Sequence, residues 1–431
     1  MLDIKFIREN KDLIAAGAKK KHMDYDVNRL LEVDTKRREL LSSIETKKAE
    51  QNKVSQEITS TQDQTNRNNL IEQMRAVKES SKIEEEQLTE VMKEWQALMV
   101  AVPNIPDMSV PEGATDEENQ EVRQWGTIPK FDFEPKSHID LMLQNDMVDF
   151  DRGAKISGFR GYILKNDGAL LEFAIWQFAL DSMVKKGFTP MIVPSLVRRE
   201  TLMGTGYIPQ GEEDLYKTQD GEYLAGTGEV ATMSYYSDEV LDYTQLPLKM
   251  VAFSPCFRRE AGSHGKDTKG IYRVHEFFKM EQVVLCEANH EESVKLHEEL
   301  TENAEKLLQA LNLPYHVVVN CGGDLGLGQV KKYDIEAWRP SVGKYGETHS
   351  SSYFHDFQSR RLNIRYRDVE GKMKFVHSLN NTAVATPRIL ISIIENNQQA
   401  DGSICIPKVL QPYMGGREVI TLPTNTKINL N

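Results

Sequence analysis

The sequence predicts an α+β protein with two parts, a long helical hairpin followed by a domain built on an antiparallel sheet. The chain has 431 residues, of which 39% are hydrophobic, and this is enough for two domains with a sizeable core. Residues 26–102 contain no glycine or proline and are rich in Glu, Lys, Gln, Arg and Leu, which is the composition of long helices. Beyond residue 125, strand-like runs are separated by loops and occasional long helices, which favours an antiparallel sheet.

The helical segment has the heptad pattern of a coiled coil. Its second half repeats seam residues at alternating three- and four-residue steps: Leu70, Met74, Val77, Ser81, Glu84, Leu88, Val91, Trp95, Leu98 and Val102. Its first half fits the same heptad, with polar interruptions, through Leu30, Val33, Arg37, Leu40, Ile44, Lys47, Gln51, Val54 and Ile58. The polar, turn-forming stretch 59–69 separates the halves. The pattern therefore predicts two antiparallel helices of about 30 residues, an arm about 45 to 50 Å long. A dimerisation coiled coil is the alternative explanation.

A boundary follows the helical segment. Pro103, Pro106 and Pro111 lie close together and precede a run of acidic residues. This predicts an N-terminal domain over residues 1–110 and a second domain over 111–431. In the second domain, residues 166–187 form an apolar-periodic helix, and strand-like runs cover 246–257, 272–285, 315–319 and 361–377.

Composition excludes several classes of protein. The sequence has no apolar run of membrane-spanning length and no apolar segment at its start, which predicts a cytoplasmic protein without a membrane partner. The four cysteines lie far apart without a CxxC pair, so neither a disulfide framework nor a four-cysteine zinc site is indicated. A formal charge of −12 argues mildly against nucleic acid, although local clusters such as residues 19–21 and 36–38 are basic. There is no glycine-rich phosphate loop of either common spacing.

The stretch "FRRE", residues 257–260, and the stretch "RVHEFFKME", residues 273–281, flank a polar loop. On strands, Arg258 and Glu260 would share one face, as would Arg273, Phe277 and Glu281. Such a face offers clamps for phosphate, a ring for stacking and carboxylate acceptors for amino or hydroxyl groups. These are the parts needed to hold ATP and an amine-bearing substrate. A solvated sheet face with ion pairs is the alternative.

A third segment, residues 377–398, runs from a strand into a helix. Thr386 is the expected N-cap, Pro387 the first helical residue, and Arg388 lies in the first turn. A helix N-terminus attracts phosphate, and an arginine there adds a charged fork.

Together, residues 185–197 with Pro194, residues 257–281 and residues 377–398 resemble the three signature motifs of class II aminoacyl-tRNA synthetases. The helical arm, "AGTGEVA" at 225–231 and "YGETHSSS" at 345–352 narrow the resemblance to the seryl-tRNA synthetase family. The match covers nearly the whole chain, and the motifs occur in the expected order. It implies a class II catalytic domain that activates L-serine with ATP and transfers it to the 3′ end of tRNA(Ser) bound by the arm, in a homodimer. Whether the selenocysteine tRNA is also charged stays open.

The resemblance also implies roles for individual residues. Arg258 would bridge the ATP α-phosphate and the serine carboxylate, and Arg388 would pack on the adenine and reach the γ-phosphate; these are the expected catalytic residues. Glu260 would read the adenine amino group and Phe277 would stack on the ring. The full expected ATP set is Arg258, Arg259, Glu260, Arg273, Val274, Phe277, Glu347, Thr348, His349, Ser350 and Arg388.

The expected serine-binding set comprises Thr227, Gly228, Glu229, Arg258, Glu281, Asn380 and Thr382. By the same resemblance, Glu347 and Ser350 would hold Mg²⁺ together with ATP, and oxygen ligands suit that hard cation. The zinc-dependent variant of the family uses a cysteine ligand, and nothing in the sequence indicates that constellation, so no zinc is expected.

Two other functions compete with this interpretation. A related ligase could activate serine and load a carrier protein, but such relatives lack the long N-terminal arm. The second alternative is a catalytically inactive regulator with a coiled-coil arm. The presence of the expected site residues argues against it; these are Arg258, Glu260, Glu281, Glu347 and Arg388.

Overall fold

The computed structural model describes residues 1–262, 265 and 267–421, and the chain divides into two compact units. The first unit comprises residues 1–19 and 23–103, and the second comprises residues 20–22 and those from 104 onward. In the described part of the chain, every helix is too short or too polar to span a bilayer. All four cysteines are free thiols, and all but Cys405 are buried.

The helices of the described ranges are numbered in chain order. They are α1 Ile4–Glu9, α2 Lys11–Lys20, α3 Val27–Ser60, α4 Gln64–Ala101, α5 His138–Gln144, α6 Phe150–Ser157, α7 Asp167–Lys185, α8 Arg199–Thr205, α9 Glu229–Ser234, α10 His290–Ala310, α11 Phe357–Leu362 and α12 Arg388–Asn396. The predicted helix at 166–187 is confirmed as α7.

Helices α3 and α4 form the predicted antiparallel hairpin. Cross-contacts join Arg29 to Glu94 near the base and Lys47 to Glu84 further out, at 2.6 Å and 2.9 Å. The predicted seam is confirmed, because its residues are buried or half-buried, whereas most residues on the outer faces of the two helices are exposed. The helices are longer than expected, with 34 and 38 residues, or about 51 and 57 Å at 1.5 Å per residue.

The difference arises at the tip of the hairpin. Only residues 61–63 leave the helical conformation, so most of the polar stretch 59–69 is helical. The side chain of Asp63 caps α4 by accepting from the amide of Thr65 at 3.0 Å. A capping residue in the middle of the polar stretch therefore restarts the helix earlier than composition indicates.

A buried carboxylate ties the base of the hairpin to α1. Asp34 is fully buried, and it pairs with Arg37 at 2.9 Å and with Arg8 at 3.1 Å. The indole nitrogen of Trp95 donates to the same carboxylate at 3.0 Å. The polar interruption at Arg37 thus belongs to a paired charge network, as a buried carboxylate requires.

The second unit is built on an eight-stranded sheet. Its strands are β1 Gln120–Trp125, β2 Thr189–Ile192, β3 Leu248–Phe257, β4 Glu276–Cys286, β5 Tyr315–Val319, β6 Lys331–Arg339, β7 Lys344–His355 and β8 His377–Thr386. Their spatial order is β1-β5-β6-β7-β8-β4-β3-β2. Neighbours pair antiparallel except β2 and β3, which are parallel. The predicted antiparallel-sheet α+β class is therefore confirmed.

Short strands complete the second unit. They pair in small sheets: Val148–Asp149 with Ile163–Leu164; Leu196–Val197 and Tyr216–Lys217 with Tyr223–Leu224; Val240–Asp242 and Met373–Phe375 with Arg365–Arg367; and Ile404–Cys405 with Val419–Ile420. The main core lies between the large sheet and helices α7, α10 and α12, where Ile175, Leu300 and Ile391 are buried.

Some strands were predicted correctly and others were not predicted. The run 315–319 coincides with β5, and the runs beginning at 246 and 272 overlap β3 and β4. The run 361–377 was wrong as a single strand, because it contains the end of α11, two short strands and the first residue of β8. Strands β6 and β7 were not predicted, since their many polar residues, such as Glu347 and Ser350, hide the strand pattern.

Candidate active site

One cleft in the second unit gathers most of the predicted ATP residues. It lies beside the ends of β3 and β4, along β7 and β8, and at the start of α12. Its lining residues are Arg258, Glu260, Tyr272, Arg273, Val274, Phe277, Lys279, Glu347, Thr348, His349, Ser350, Thr382, Ala385, Thr386, Pro387 and Arg388. Residues more than 120 positions apart in sequence thus face a common space.

Part of the predicted strand face lies in loops. Strand β3 ends at Phe257 and β4 begins at Glu276, so Arg258, Glu260 and Arg273 lie outside the strands. The expectation that strand pleating aligns these three side chains was wrong. Glu260 adopts a left-handed backbone conformation, with φ of 56°, which ends the strand geometry just before the polar loop.

Within β4 the predicted alternation is confirmed. Phe277 lines the cleft, and Glu281 lies two pleats further along the same face. Phe278 turns to the other side and stacks on Phe253, with ring centroids 5.8 Å apart. Met280 is likewise buried in the core on that side. The strand therefore separates a polar cleft from an apolar core.

Arg258 lies across the aromatic ring of Phe277. The guanidinium carbon is 5.2 Å from the ring centroid, and Nη2 is 3.5 Å from the carbonyl oxygen of Gly226. The Arg258 amide donates to the carbonyl of His275 at 3.0 Å, which extends the pairing of β3 and β4 by one residue. A cation over an aromatic face gains about 0.5 to 2 kcal/mol. The arginine is thus held at the mouth of the cleft.

Glu260 and Arg273 pair across the two loops. Their Oε2 and Nη1 atoms are 3.2 Å apart, and Arg160 approaches the same oxygen at 3.6 Å. Arg273 also contacts Asp267 at 3.3 Å. The two predicted residues are therefore brought together, with Glu260 held between two guanidinium groups.

Arg388, the first residue of α12, is held by several groups. Its Nε donates to the Tyr272 carbonyl at 3.2 Å, and Nη1 donates to the Glu347 carboxylate at 3.0 Å. Its guanidinium carbon is 4.5 Å from the Tyr272 ring centroid. Tyr272 carries Arg339 on its ring as well, at 4.2 Å.

The expected N-cap was one residue out of place. Pro387 occupies the N-cap position of α12 and Thr386 ends β8. The hydroxyl of Thr386 donates to the buried Glu172 at 2.8 Å instead of capping the helix. The buried carboxylate competes successfully for this donor, because it would otherwise lose a hydrogen bond in a low-dielectric site.

A β-bulge positions the predicted metal ligands. The pairing of β6 with β7 shifts at Thr348, so Glu347 opposes Glu336 while His349 opposes Ile335. One extra residue reverses the alternation, so Glu347 and Ser350, three residues apart, line the same cleft. Thr348 and His349 are buried, and the Thr348 hydroxyl donates to the carbonyl of Ile335 at 3.1 Å.

The charge of Glu347 is strongly stabilised. Desolvation by the protein would raise its pKa, but the neighbouring charges of Arg388, Lys332 and Arg258 outweigh this and lower the pKa to about 2. Its side chain keeps 44% of its surface exposed. The carboxylate is therefore ionised and accessible from the cleft.

Three of the predicted serine residues form a buried polar cluster beside the cleft, which we call the serine pocket. Thr227, Glu229 and Glu281 are each at most 3% exposed. Glu229 accepts hydrogen bonds from the Tyr207 hydroxyl at 2.9 Å and from the Gln358 amide at 2.7 Å. Burial raises the pKa of Glu229 above its ordinary value, although these donors oppose the shift.

Thr382 connects this pocket with the cleft. A second bulge shifts the pairing of β4 with β8, so Glu281 directly opposes Thr382. The Thr382 hydroxyl is 3.4 Å from Glu281 Oε2, and Thr382 also lines the cleft. Asn380 is buried two residues earlier on β8, close enough to Glu229 to lower the pKa of that carboxyl and oppose the effect of burial.

Gly228 supplies space in this pocket. It precedes helix α9, and a Cβ atom at this position would lie 3.0 Å from the hydroxyl oxygen of Ser254 and 3.7 Å from the Cβ atom of Ala252. A side chain at Gly228 would therefore push against β3.

Arg259 was predicted to bind ATP but does not line the cleft. It is exposed, its amide donates to the Asp214 carbonyl at 3.0 Å, and its Nη1 donates to the Glu213 carbonyl at 2.8 Å. These two hydrogen bonds to the segment 213–214 hold Arg259 away from the cleft.

Sequence reasoning missed Lys279 and Tyr272. Lys279 lies between Phe277 and Glu281 on the same face of β4, so the period-two pattern already contained the signal. Its Nζ is 2.5 Å from Glu281 Oε2. Tyr272 has no comparable signal, because it lies in the loop before β4 and its role follows from its contacts. Across the described residues, no group of three or more His, Cys, Asp or Glu side chains forms a metal cluster.

The comparisons with known proteins agree with this arrangement. A family model of the tRNA synthetase class II core domain (G, H, P, S and T) matches residues 216–397, and one of the seryl-tRNA synthetase N-terminal domain matches residues 1–106. A serine–tRNA ligase of Deinococcus radiodurans is 46% identical over 424 residues, covering 98% of this chain and 100% of that protein.

Solved structures give the same result. A seryl-tRNA synthetase from Pyrococcus horikoshii complexed with ATP superposes with a TM-score of 0.91 at 39% identity, covering 98% of this chain and all of that one. A cytoplasmic serine–tRNA ligase from Naegleria fowleri in complex with AMP gives 0.87 at 30% identity, covering 98% and 99%. The chain therefore belongs to the seryl-tRNA synthetase family of class II aminoacyl-tRNA synthetases.

Proposed function

We propose that this protein is a serine–tRNA ligase, which activates L-serine with ATP to seryl-adenylate and transfers the seryl group to the 3′ end of tRNA(Ser). The observation that carries the proposal is that Thr382 lies both in the cleft and against the buried polar cluster that we call the serine pocket. On one side lies a cleft with Arg258, Arg388 and Glu347, and on the other lies a buried pocket with two carboxylates. ATP and a small amine-bearing acid would meet at this junction.

Arg258 is the proposed centre of the first step. The serine carboxylate attacks the α-phosphate in line, and charge builds on the phosphate oxygens. A guanidinium that is already fixed over Phe277 stabilises this charge more strongly in the transition state than in the ground state. The nucleophile is a carboxylate, so the step requires no general base, and positioning with charge stabilisation suffices.

The remaining ATP contacts are proposed from the positions of the side chains. Phe277 supplies a ring for adenine to stack on, and Glu260 supplies acceptors for its amino group. Arg388 reaches the triphosphate from the start of α12. Arg273 and the main chain near Val274 border the same space. Arg388 is the first residue of its helix, so the guanidinium and the helix N-terminus both favour bound phosphate.

Class II synthetases that use ATP require a divalent cation, and we propose Mg²⁺ held by Glu347 and Ser350. The bulge at Thr348 places both oxygen donors on the cleft, and Glu347 stays ionised. Carboxylate and hydroxyl oxygens fit the preference of this cation. When bound, the cation would neutralise charge on the ATP phosphates.

The buried pocket is proposed to select serine. Glu229 and Glu281 would pair with the ammonium group, and Glu281 with Thr382 would bond the side-chain hydroxyl. Thr227, Gly228 and Asn380 would complete the wall. A site built to hydrogen-bond a hydroxyl discriminates strongly against substrates that lack it, whereas threonine must be excluded by lack of space.

The N-terminal arm is proposed to bind tRNA(Ser). RNA helices are recognised mainly by shape and by contacts to the backbone, so correct placement of basic side chains matters more than the net charge of the protein. Lys36, Arg38 and Lys48 are exposed on α3. We accordingly propose an N-terminal tRNA-binding domain over residues 1–110 and a catalytic domain over residues 111–431.

A homodimer is proposed from an apolar surface on the second unit. Phe173 of α7 is 64% exposed and Ile192 of β2 is 88% exposed, and both border one apolar groove. Large exposed apolar side chains that share a groove mark interaction surfaces. We also propose a cytoplasmic location, in keeping with the Naegleria relative.

Serine-dependent exchange of labelled pyrophosphate into ATP, followed by charging of tRNA(Ser), tests the function. A ligase that loads a carrier protein would show the exchange and fail to charge tRNA. An inactive regulator would show neither activity. Exchange that responds to another amino acid in preference to serine would refute the substrate.

A further inference from the structure

The serine pocket contains a buried lysine in direct contact with one of its carboxylates. Lys279 is 7% exposed and Glu281 is 2% exposed, and Nζ lies 2.5 Å from Oε2. Lys279 also lines the ATP cleft. A buried ion pair is costly to assemble, because both partners lose hydration. Its presence next to a substrate pocket therefore calls for a role beyond stability.

The groups around Glu281 come from five elements. Lys279 lies on the same strand, Cys256 and Arg258 lie at the end of β3, Glu229 begins α9, Tyr207 follows α8, and Thr382 faces it from β8. Two of these groups are cationic, and Lys279 is the one in contact. Glu229 accepts hydrogen bonds from two neutral donors, and its proximity raises the pKa of Glu281.

We infer that Lys279 is a positioning residue that keeps Glu281 as an oriented carboxylate, ready to accept hydrogen bonds from the ammonium and hydroxyl groups of serine. The inference rests on the proposed function. Lys279 Nζ contacts Oε2, which also lies near the Thr382 hydroxyl, so one oxygen is fixed by the protein. The second oxygen is the one we assign to the substrate.

The sign of the expected pH dependence follows from the charges. Burial raises the pKa of Glu281 to about 7, with Lys279 opposing the rise and Glu229 adding to it. Without Lys279 the pKa rises further, and Glu281 is protonated at neutral pH. Serine binding is then weak at neutral pH and recovers as the pH increases. Each pH unit below the pKa lowers the ionised fraction by about tenfold.

The experiment measures the KM for serine in pyrophosphate exchange from pH 6 to pH 9. It compares wild type, Lys279→Met, Lys279→Arg and Glu281→Gln. The KM for serine should rise as the pH falls and Glu281 becomes protonated. In Lys279→Met we expect this rise at a pH higher by at least about one unit than in wild type. Lys279→Arg, which retains a cation, should follow the wild-type profile. Glu281→Gln should bind serine weakly with no such pH dependence, because its amide does not titrate.

An unshifted profile in Lys279→Met would overturn the inference, as would an equal loss of activity at every pH. Circular dichroism checks folding, and Lys279→Gln, which keeps a polar donor, replaces the methionine variant if that variant unfolds. The wild-type enzyme distinguishes failure of the proposed function from failure of the role proposed for Lys279. If wild type shows no serine-dependent exchange, the proposed function fails, whereas wild-type exchange with unshifted variant profiles refutes the role of Lys279 alone.

Discussion

Arg388 Nη1 lies 3.0 Å from Glu347 Oε2 and 3.1 Å from the carbonyl oxygen of the same residue. One guanidinium nitrogen therefore joins the start of α12 to β7, and it joins a proposed phosphate ligand to a proposed metal ligand. Burial disfavours a charged Arg388, but Glu347, together with Tyr272 and Glu260, outweighs this and raises the pKa of the guanidinium. The two groups hold each other charged and in place.

Arg388→Ala should weaken ATP binding by about tenfold to a hundredfold, since a hydrogen bond to a charged group contributes about 1.5 to 3 kcal/mol. Serine binding in the absence of ATP should change little, because Arg388 has no contact with Glu281 or Thr382 among the described hydrogen bonds. Titration calorimetry with each ligand measures both effects. Equal ATP affinity in the variant would make Arg388 a structural residue of the helix.

Substitution of Tyr272 should distinguish a positioning ring from a space-filling side chain. The ring carries Arg388 at 4.5 Å and Arg339 at 4.2 Å. Tyr272→Leu should raise the KM for ATP by about threefold to tenfold, because each cation over a ring contributes about 0.5 to 1 kcal/mol or more. Tyr272→Phe keeps the ring and should remain near wild type. The role would be refuted if both variants lost activity equally.

Glu347→Gln should increase the Mg²⁺ concentration needed for half-maximal exchange by about tenfold, as the site loses its charged ligand. The wild-type requirement should be constant from pH 6 to pH 8, because a carboxyl with a pKa of about 2 remains ionised throughout. Titration of the exchange rate with Mg²⁺ at several pH values checks both statements. A Mg²⁺ requirement unaffected by the substitution would place the cation elsewhere.

Glu281→Ala should lower kcat/KM for serine in the exchange reaction by over a hundredfold, about 3 kcal/mol or more, if the carboxylate contacts serine in the transition state. The position is 2% exposed and its substitution also unpairs Lys279, so a folding control is needed. Glu281→Gln has nearly the same volume and serves as that control. Near-normal exchange in a folded variant would refute the serine pocket.

Sequence-based prediction succeeded best where hydrophobic residues recur with a regular spacing over many turns. The heptad of α3 and α4 indicated the hairpin and its seam, because one strip of each helix is buried over many turns. Its exact length was not predictable from composition, since the cap at Asp63 decides where α4 begins. Strand β5 was found because its valines form a short apolar run.

The identities of most site residues were predictable from the sequence, but their arrangement in space was not. Resemblance supplied Arg258, Glu347 and Arg388, which line the cleft. Glu347 and Ser350 share a face because of the bulge at Thr348, and no local pattern in "ETHSSS" predicts that bulge. Lys279 was missed because the resemblance assigned it no role. Its position between Phe277 and Glu281 nevertheless predicts that its side chain faces the cleft.

The arm should be needed for charging tRNA and not for activating serine. The Lys47–Glu84 and Arg29–Glu94 contacts show which residues of α3 and α4 lie opposite each other, so residues 46–81 form a removable outer section. Replacing this section with a short flexible linker leaves the Asp34 network at the base intact. Every proposed serine and ATP ligand lies beyond residue 220, so pyrophosphate exchange should remain within about threefold of wild type, whereas lost contacts outside the reacting centre should raise the KM for tRNA(Ser) by orders of magnitude.

A matched variant isolates the contribution of charge. Lys36→Glu combined with Arg38→Glu keeps both helices and reverses two exposed charges on α3. If these residues contact phosphates, this variant should weaken tRNA binding most at low salt, because such contacts release counterions. Kinetics of charging at two salt concentrations measures the effect, and exchange in the same preparations reports the first step. Unimpaired charging by the shortened protein would show that residues 46–81 are not needed to bind tRNA. Loss of both activities in a folded protein would show that this section is needed for catalysis.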